Sequence, residues 1–362
     1  MILSGTILEG QDLTPVRGHI SIESGKIEEI SAEGSVRDRR IILPGFVNCH
    51  THIGDYIFKD RGMGLPLGEL VGSPDGLKHR LLRGAAEGEL EIGMAAAVSE
   101  MIGSGITTFM DFREQGLAGI RVFRRAIDRI RGLPLGRPGD GTPGEVEAIA
   151  DQAHGFGLDR LDAYGRDILG AVARFADRKI VSVHVSEGRW RDGEIDDALD
   201  LLRANTLIHL THANRREIRR MAREGIGAVV CPRCNLQLGV GKPPIDTLME
   251  EGVATGLGTD NAMINSPNMF REMETALAVM RRKSAREVLS MATVRGARVA
   301  GISGETGSLE AGKDADLLVL TPGPGMEFSD DVHAAVVKRA GPGNVSLVMR
   351  GGEIILDRRR KD

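Results

Sequence analysis

His50-Thr51-His52 sets two imidazoles two residues apart, and on a β-strand such residues project from the same face, about 6 to 7 Å apart along the chain. Two side chains so placed can converge on one cation. The pair alone fits two ordinary histidines at a strand end just as well. Farther on stand His184 with Glu187 three residues later, then His212, then Asp260. Each has a plain explanation of its own: a histidine satisfied by one hydrogen bond, or an aspartate capping the helix that follows. Taken together, imidazoles and a carboxylate are the nitrogen and oxygen donors that suit Zn²⁺ or Fe²⁺ with one position open to water.

For these residues to meet, something must bring distant segments to one place. Between residues 44 and 307 short apolar runs alternate with helical stretches, the pattern of βα units around a parallel sheet. The candidate strands are IILPGFVNCH, GITTFMDF, LPLG, HGFGL, KIVSVHV, NTLIHLTH, IGAVVCP and VATGLGTD, with LPLG and HGFGL the weakest. Such a series predicts a (β/α)8 barrel, an α/β fold of TIM type whose active sites form at the C-terminal ends of the strands. His50 and His52 end the first strand, His184 and Glu187 the fifth, His212 the sixth and Asp260 the eighth. Four strands thus deliver polar groups to one rim. Helical stretches such as LEIGMAAAVSEMIGSG and REIRRMAREG stop at glycine. In RVFRRAIDRIRG, Phe123, Ile127 and Ile130 recur at helical spacing, which predicts a solvated amphipathic helix rather than a nucleic-acid surface. Segments 1–43 and 308–362 are rich in short alternating runs broken by glycine, and predict one small β-sandwich domain built from both ends of the chain. Pro44-Gly45 marks its handover to the barrel.

The 362 residues are 41% hydrophobic and 27% charged, the balance of a soluble globular protein. A net charge of −4 gives no reason to expect nucleic acid or an anionic membrane as partner. No basic start leads an apolar run and no stretch reaches about 18 apolar residues, so the expected location is the cytoplasm. Cys49, Cys231 and Cys234 are too few for a disulfide framework. On a strand, Cys231 and Cys234 of CPRC would face opposite ways, which argues against a zinc or redox pair.

PGFVNCHTH, HVSE (184–187), HLTH (209–212), GLGTDN (256–261) and the tail GSLEAGKDADLLVL (307–320) occur in an order that resembles the amidohydrolase superfamily, in its cytosine deaminase and chlorohydrolase-like branch. The resemblance spans essentially the whole chain. It implies that His50, His52, His184 and Asp260 hold one divalent ion, Zn²⁺ before Fe²⁺. It also implies that Glu187 shuttles protons, that His212 polarises the substrate, and that Asp260 accepts a proton from the attacking water. Many members bridge two metals with a carboxylated lysine from strand four. No lysine occurs between Lys78 and Lys179 here, which favours a single ion. The implied reaction is deamination of an aminated purine, pterin, pyrimidine or triazine. Dechlorination, or hydrolysis of a cyclic amide or imine, is the alternative at the same site, and an inactive barrel serving as a binding protein is the remaining one. Retention of Glu187 favours deamination, because a departing amine needs a proton and chloride does not.

The expected partner is a small-molecule substrate, in a homodimer or higher homo-oligomer as relatives commonly form. Candidate substrate contacts are Arg113, Arg137 and Arg233, which lie where loops meet the rim and can hold an anion or ring oxygen, and Trp190, which can stack on a planar ring. Each also fits an ordinary surface or loop position. The sequence is shorter than typical members between strands two and five, and CPRCN has Cys234 where relatives commonly have serine.

Overall fold

A computed structural model describes residues 1–139 and 141–359. Its larger sheet holds nine parallel strands, in the order 255–257, 227–230, 206–209, 180–185, 155–158, 131–136, 106–113, 46–52 and 260–261. The two at the ends are halves of a single strand interrupted at Gly258-Thr259. One half pairs with 227–230, while Asp260 and Asn261 pair with Thr51 and His52 of the first strand. The sheet therefore closes into a (β/α)8 barrel. Arg131–Gly136 and Gly155–Leu158 supply the two strands that the sequence marked least clearly.

Valine, leucine, isoleucine and phenylalanine dominate these strands, as parallel strands buried on both faces require. Val47, Met110, Leu135, Ile208 and Val229, from five of the strands, belong to one buried cluster, the packed centre of the barrel. Truncating any one to alanine removes a side chain worth about 2–5 kcal/mol in such a setting. Glycines let the last strand lie close to the first: a Cβ on Gly256 would stand 2.6 Å from Cys49 Sγ, and one on Gly258 2.6 Å from His50 Cβ. Where the ladder is interrupted, the side-chain amide of Asn48 takes over. Its Oδ1 accepts from Thr259 N at 3.0 Å and its Nδ2 donates to Thr259 Oγ1 at 2.7 Å.

The smaller sheet has seven strands, ordered 353–357, 345–350, 317–320, 41–44, 2–9, 14–23 and 26–32. Both ends of the chain contribute, with Leu317–Leu320 antiparallel to Ile41–Pro44 at the join. IILPGFVNCH is thus two strands rather than one. Its first half belongs to the small sheet, and Gly45 turns the chain where a Cβ would meet Thr107 Oγ1 at 2.2 Å. The tail is not purely β: helix Val332–Arg339 packs against barrel helices Met269–Val279 and Ala285–Met291.

Two helix expectations are met at Glu87–Gly103, which precedes Ser104-Gly105, and at Arg215–Glu224, where Gly225 ends the helix at φ +70°. A third is shorter than expected. The helix Gly116–Ala126 stops before Ile127, which is extended, and Ile130 is buried in the connection to the third barrel strand. No helix among the described residues is long and apolar enough to cross a membrane.

Candidate metal centre and active site

The C-terminal ends of strands one, five, six and eight bring His50, His52, His184, His209 and Asp260 together, all buried. His50, His52 and His184 offer donor atoms within 4.8 Å of one another, as do His50, His209 and Asp260. His50 Nε2 lies 3.2 Å and His52 Nε2 3.6 Å from Asp260 Oδ1, and His209 Nε2 lies 4.0 Å from Asp260 Oδ2. Chain geometry is bent to achieve this. Ser186, His209, Leu210 and Asp260 sit at φ between +49° and +70°, a left-handed conformation uncommon outside glycine and found where a site over-determines the backbone.

Three of the four imidazoles are fixed through Nδ1. His184 Nδ1 donates to Leu158 O at 2.9 Å, while His52 Nδ1 faces Glu114 Oε1 at 2.9 Å and His209 Nδ1 faces Asn235 Oδ1 at 3.0 Å. Each arrangement turns Nε2 inward, as in metal-ligating histidines whose second nitrogen is held by an acceptor. His50 is the exception. Both its nitrogens are buried without a hydrogen bond, although Nε2 is so near Asp260. A buried ring nitrogen without a hydrogen bond, facing a buried carboxylate, is costly in an empty core and natural around a cation, so the residues fit a divalent ion.

Electrostatics point the same way. Burial, with the neighbouring charge of Lys78, lowers His52 to about 3, and burial together with the other imidazoles holds His184 well below its ordinary value. Both are then neutral, the state a ligand needs. Burial opposes ionisation of Asp260, but His50 and the other imidazoles outweigh it and keep the carboxylate well below its usual range. Glu187 is different: burial raises it, with His209 only partly offsetting this. Its Oε1 is 3.5 Å from His209 Nε2. A cavity of about 90 Å³ lies over the cluster, lined by His52, His184, Glu187, His209 and Asp260, with Lys78 among its walls.

The sixth strand corrects the sequence reading. It ends at His209, and the left-handed residues 209 and 210 carry Thr211 and His212 away. His212 N donates to Ser186 O at 3.0 Å, and its Nε2 is buried without a partner, outside both the donor groups and the cavity wall. The position expected for His212 is filled by His209. CPRCN also differs from expectation, since Pro232–Gln237 is a helix and not the continuation of a strand. Asn235 from it orients His209, and the Cys234 thiol lies against Asp260.

None of the four expected substrate contacts lines the cavity over the cluster. Arg113 is 1% exposed, held between Asp111 Oδ2 at 3.0 Å and Glu114 Oε2 at 2.5 Å. Arg233 Nε donates to Asn265 Oδ1 at 3.0 Å and its guanidinium to the carbonyl of Ser266, so it straps a loop. Arg137 is buried behind Asp159, 3.9 Å away. Trp190 is half exposed and donates from Nε1 to Glu217 Oε1 at 3.3 Å.

The sequence reading missed Lys78 and Glu114. Lys78 Nζ is 2.7 Å from Glu114 Oε1, and both are buried. Burial resists a charge on Glu114, yet Lys78, His52 and Arg113 together hold it well below the ordinary carboxylate range. Lys78 comes from helix Leu77–Gly84, part of the segment after strand one that roofs the barrel mouth.

Comparison with known proteins agrees with this geometry. The chain is 34% identical to a putative aminohydrolase of Methanothermobacter thermautotrophicus, covering 98% of both sequences. It is 28% identical to a 5-methylthioadenosine/S-adenosylhomocysteine deaminase of Symbiobacterium thermophilum, over 99% of this chain and 93% of the relative. The crystal structure of an adenosine deaminase from Xanthomonas campestris with bound zinc superposes with a TM-score of 0.84 at 22% identity, covering 99% of this chain and 93% of the other, a likeness of fold. The pattern of the amidohydrolase family matches residues 41–355, and with it the barrel, its histidine cluster and the strands 41–44, 317–320 and 345–350 of the small sheet: this chain belongs to the amidohydrolase family.

Proposed function

We propose that this protein hydrolytically removes the amino group from an aminated nitrogen heterocycle, with one divalent ion, Zn²⁺ by preference, held by His50, His52, His184 and Asp260. The observation that carries the reading is the situation of Glu187. It stands in the wall of the cavity above the cluster, 3.5 Å from His209 Nε2, and burial raises its proton affinity. A carboxyl group in that state can protonate a ring nitrogen as a water oxygen adds to the amine-bearing carbon, then as a carboxylate take the remaining hydroxyl proton of the tetrahedral centre and pass it to the departing amine. A bound divalent ion would supply the acidity that makes water a nucleophile near neutral pH.

Asp260 takes the proton of that water on Oδ2, the oxygen turned toward His209. His209, fixed by Asn235, presents Nε2 to the charge that develops on the substrate. The carbon–nitrogen bond breaks, ammonia leaves, and the ring keeps the oxygen as a carbonyl. The fourth strand, Gly155–Leu158, offers no lysine to bridge a second ion, which supports a single one. Relatives named for deaminating 5-methylthioadenosine and S-adenosylhomocysteine support a purine among the candidate purine, pterin, pyrimidine and triazine rings. Dechlorination at the same site would need only the first of these two proton transfers, because chloride leaves without a proton.

Glu187→Gln is expected to keep its metal and to lose about 10²–10⁴-fold in ammonia release from whichever ring an aminated-heterocycle panel identifies. Metal analysis and ammonia release on the same preparation check both halves. Unchanged turnover would remove Glu187 from the mechanism, and a silent panel would move the reading to the alternative leaving groups.

A further inference from the structure

The cavity over the cluster holds about 90 Å³, roughly the share of three water molecules in the liquid, which is room for the reacting part of a ring and little more. It adjoins a second cavity of about 280 Å³, with Leu67, Arg160, His184 and Glu187 lining both. Together they fall within the size usual for a small-molecule site, which the inner cavity alone does not reach. The remainder of the substrate must therefore pass Glu187 and enter the outer chamber.

That chamber is rich in guanidinium groups. Arg160, Arg189 and Arg191 line it, delivered by the loops after strands four and five. Arg160 Nε and Arg191 Nη1 each lie 3.0 Å from an oxygen of Asp162, so two cations share one carboxylate. Glu194, also in the wall, is turned to the backbone, accepting from Ser186 N at 2.8 Å. Arg189 is exposed and has no hydrogen bond or ion pair among the described residues. A fork of donors left unanswered beside a reaction site is suited to a planar or tetrahedral anion.

We propose that the outer chamber binds an anionic substituent, a carboxylate or a phosphate, carried by the heterocycle whose amino group lies over the metal centre, with Arg189 as its principal contact and Arg160 and Arg191 beside it. The assignment rests on the deamination reading for what occupies the inner cavity. Its selectivity comes from residues that do not touch the reacting atoms.

The test uses the metal-loaded enzyme and matched compounds: adenosine and cytidine, their 5′-monophosphates, and their 5′-carboxylates. Equilibrium binding and ammonia release are measured for each, with wild type, Arg189→Ala and Arg189→Lys. One anionic member of a set is expected to bind at least about tenfold more tightly than its neutral parent. The anion with the larger gain identifies carboxylate or phosphate. Arg189→Ala is expected to abolish most of that gain while leaving the neutral compounds unchanged, and Arg189→Lys to restore part of it. Because Arg189 is exposed, its truncation removes no core packing. Equal affinity for neutral and anionic members, or a gain that survives Arg189→Ala, overturns the proposal. Anion-dependent binding without ammonia would defeat the deamination reading and leave this site standing. Ammonia from neutral compounds with no anion preference would do the reverse.

Discussion

Asn235 decides which histidine of HLTH faces the site. Its Oδ1 meets His209 Nδ1, and its Nδ2 donates to Thr211 Oγ1 at 2.7 Å, fixing the turn that sends His212 elsewhere. Replacing His209 with Asn is therefore expected to cost about 10²-fold or more in kcat, as loss of a preorganised group facing developing charge does. His212→Ala should stay within about tenfold of wild type, the scale of an outer change. Steady-state rates for the two variants check this, and the opposite ranking would return the role to His212. Residue types at the centre were legible: His50, His52, His184, Glu187 and Asp260 all stand where the strand ends put them. What failed at His212 was backbone conformation, since left-handed His209 and Leu210 carry no glycine to announce the turn. Arg113 failed for another reason. Asp111 and Arg113 alternate onto one face of strand two, a spacing that favours an internal ion pair over an anion site, and that signal was available in DFRE.

Among elements, helix Met269–Val279 shows how a polar group can sit in the core behind a site. Glu272 on it is fully buried, accepts from Arg233 N at 2.9 Å, and lies 3.7 Å from Arg233 Nε. Burial, only partly answered by Arg233, pushes its carboxyl up to about 7 from an ordinary 4.5. The folded state thus holds this proton more tightly than the unfolded state. The stability that Glu272 contributes is highest below about 4.5 and falls as pH rises toward 7. Glu272→Gln keeps an acceptor for Arg233 N and has no proton to lose. The melting temperature of the variant, relative to wild type, is expected to improve steadily from pH 4.5 to 7 and then level off. A difference flat across that window would mean Glu272 titrates normally. Helix ends were readable from Gly225, whereas Ile127 and Ile130 kept helical spacing in a segment that packs without being helical. Periodicity reports which residues are buried, and two kinds of backbone can bury the same set.

At the scale of the molecule, the small sheet and the barrel are tied by charge as well as by chain. Arg131 at the start of the third barrel strand meets Asp314 Oδ2 at 2.7 Å, while a hydrogen bond from His333 Nε2 of the tail helix to Leu13 O at 2.8 Å joins the two ends of the chain across 320 residues of sequence. That both ends join one sheet was legible from their alternation. The helices of the tail packing on the barrel were not, because nothing in a local pattern shows what a surface helix leans against.

The seam between the last strand and the first has a mechanical meaning. Only Asp260 with Thr51 and Asn261 with His52 complete the ladder there, so the ring of strands is fastened at the very residues that would hold the ion. A cation between His50, His52 and Asp260 would act as a rivet, and on the proposed reading the barrel would be tightest when loaded. Chelation is expected to speed amide exchange at residues 46–52 and 260–261 well before it is felt at 131–136 and 155–158, on the opposite side of the ring. Uniform acceleration around the ring, or none at the seam, would break the link between holding the metal and holding the shape.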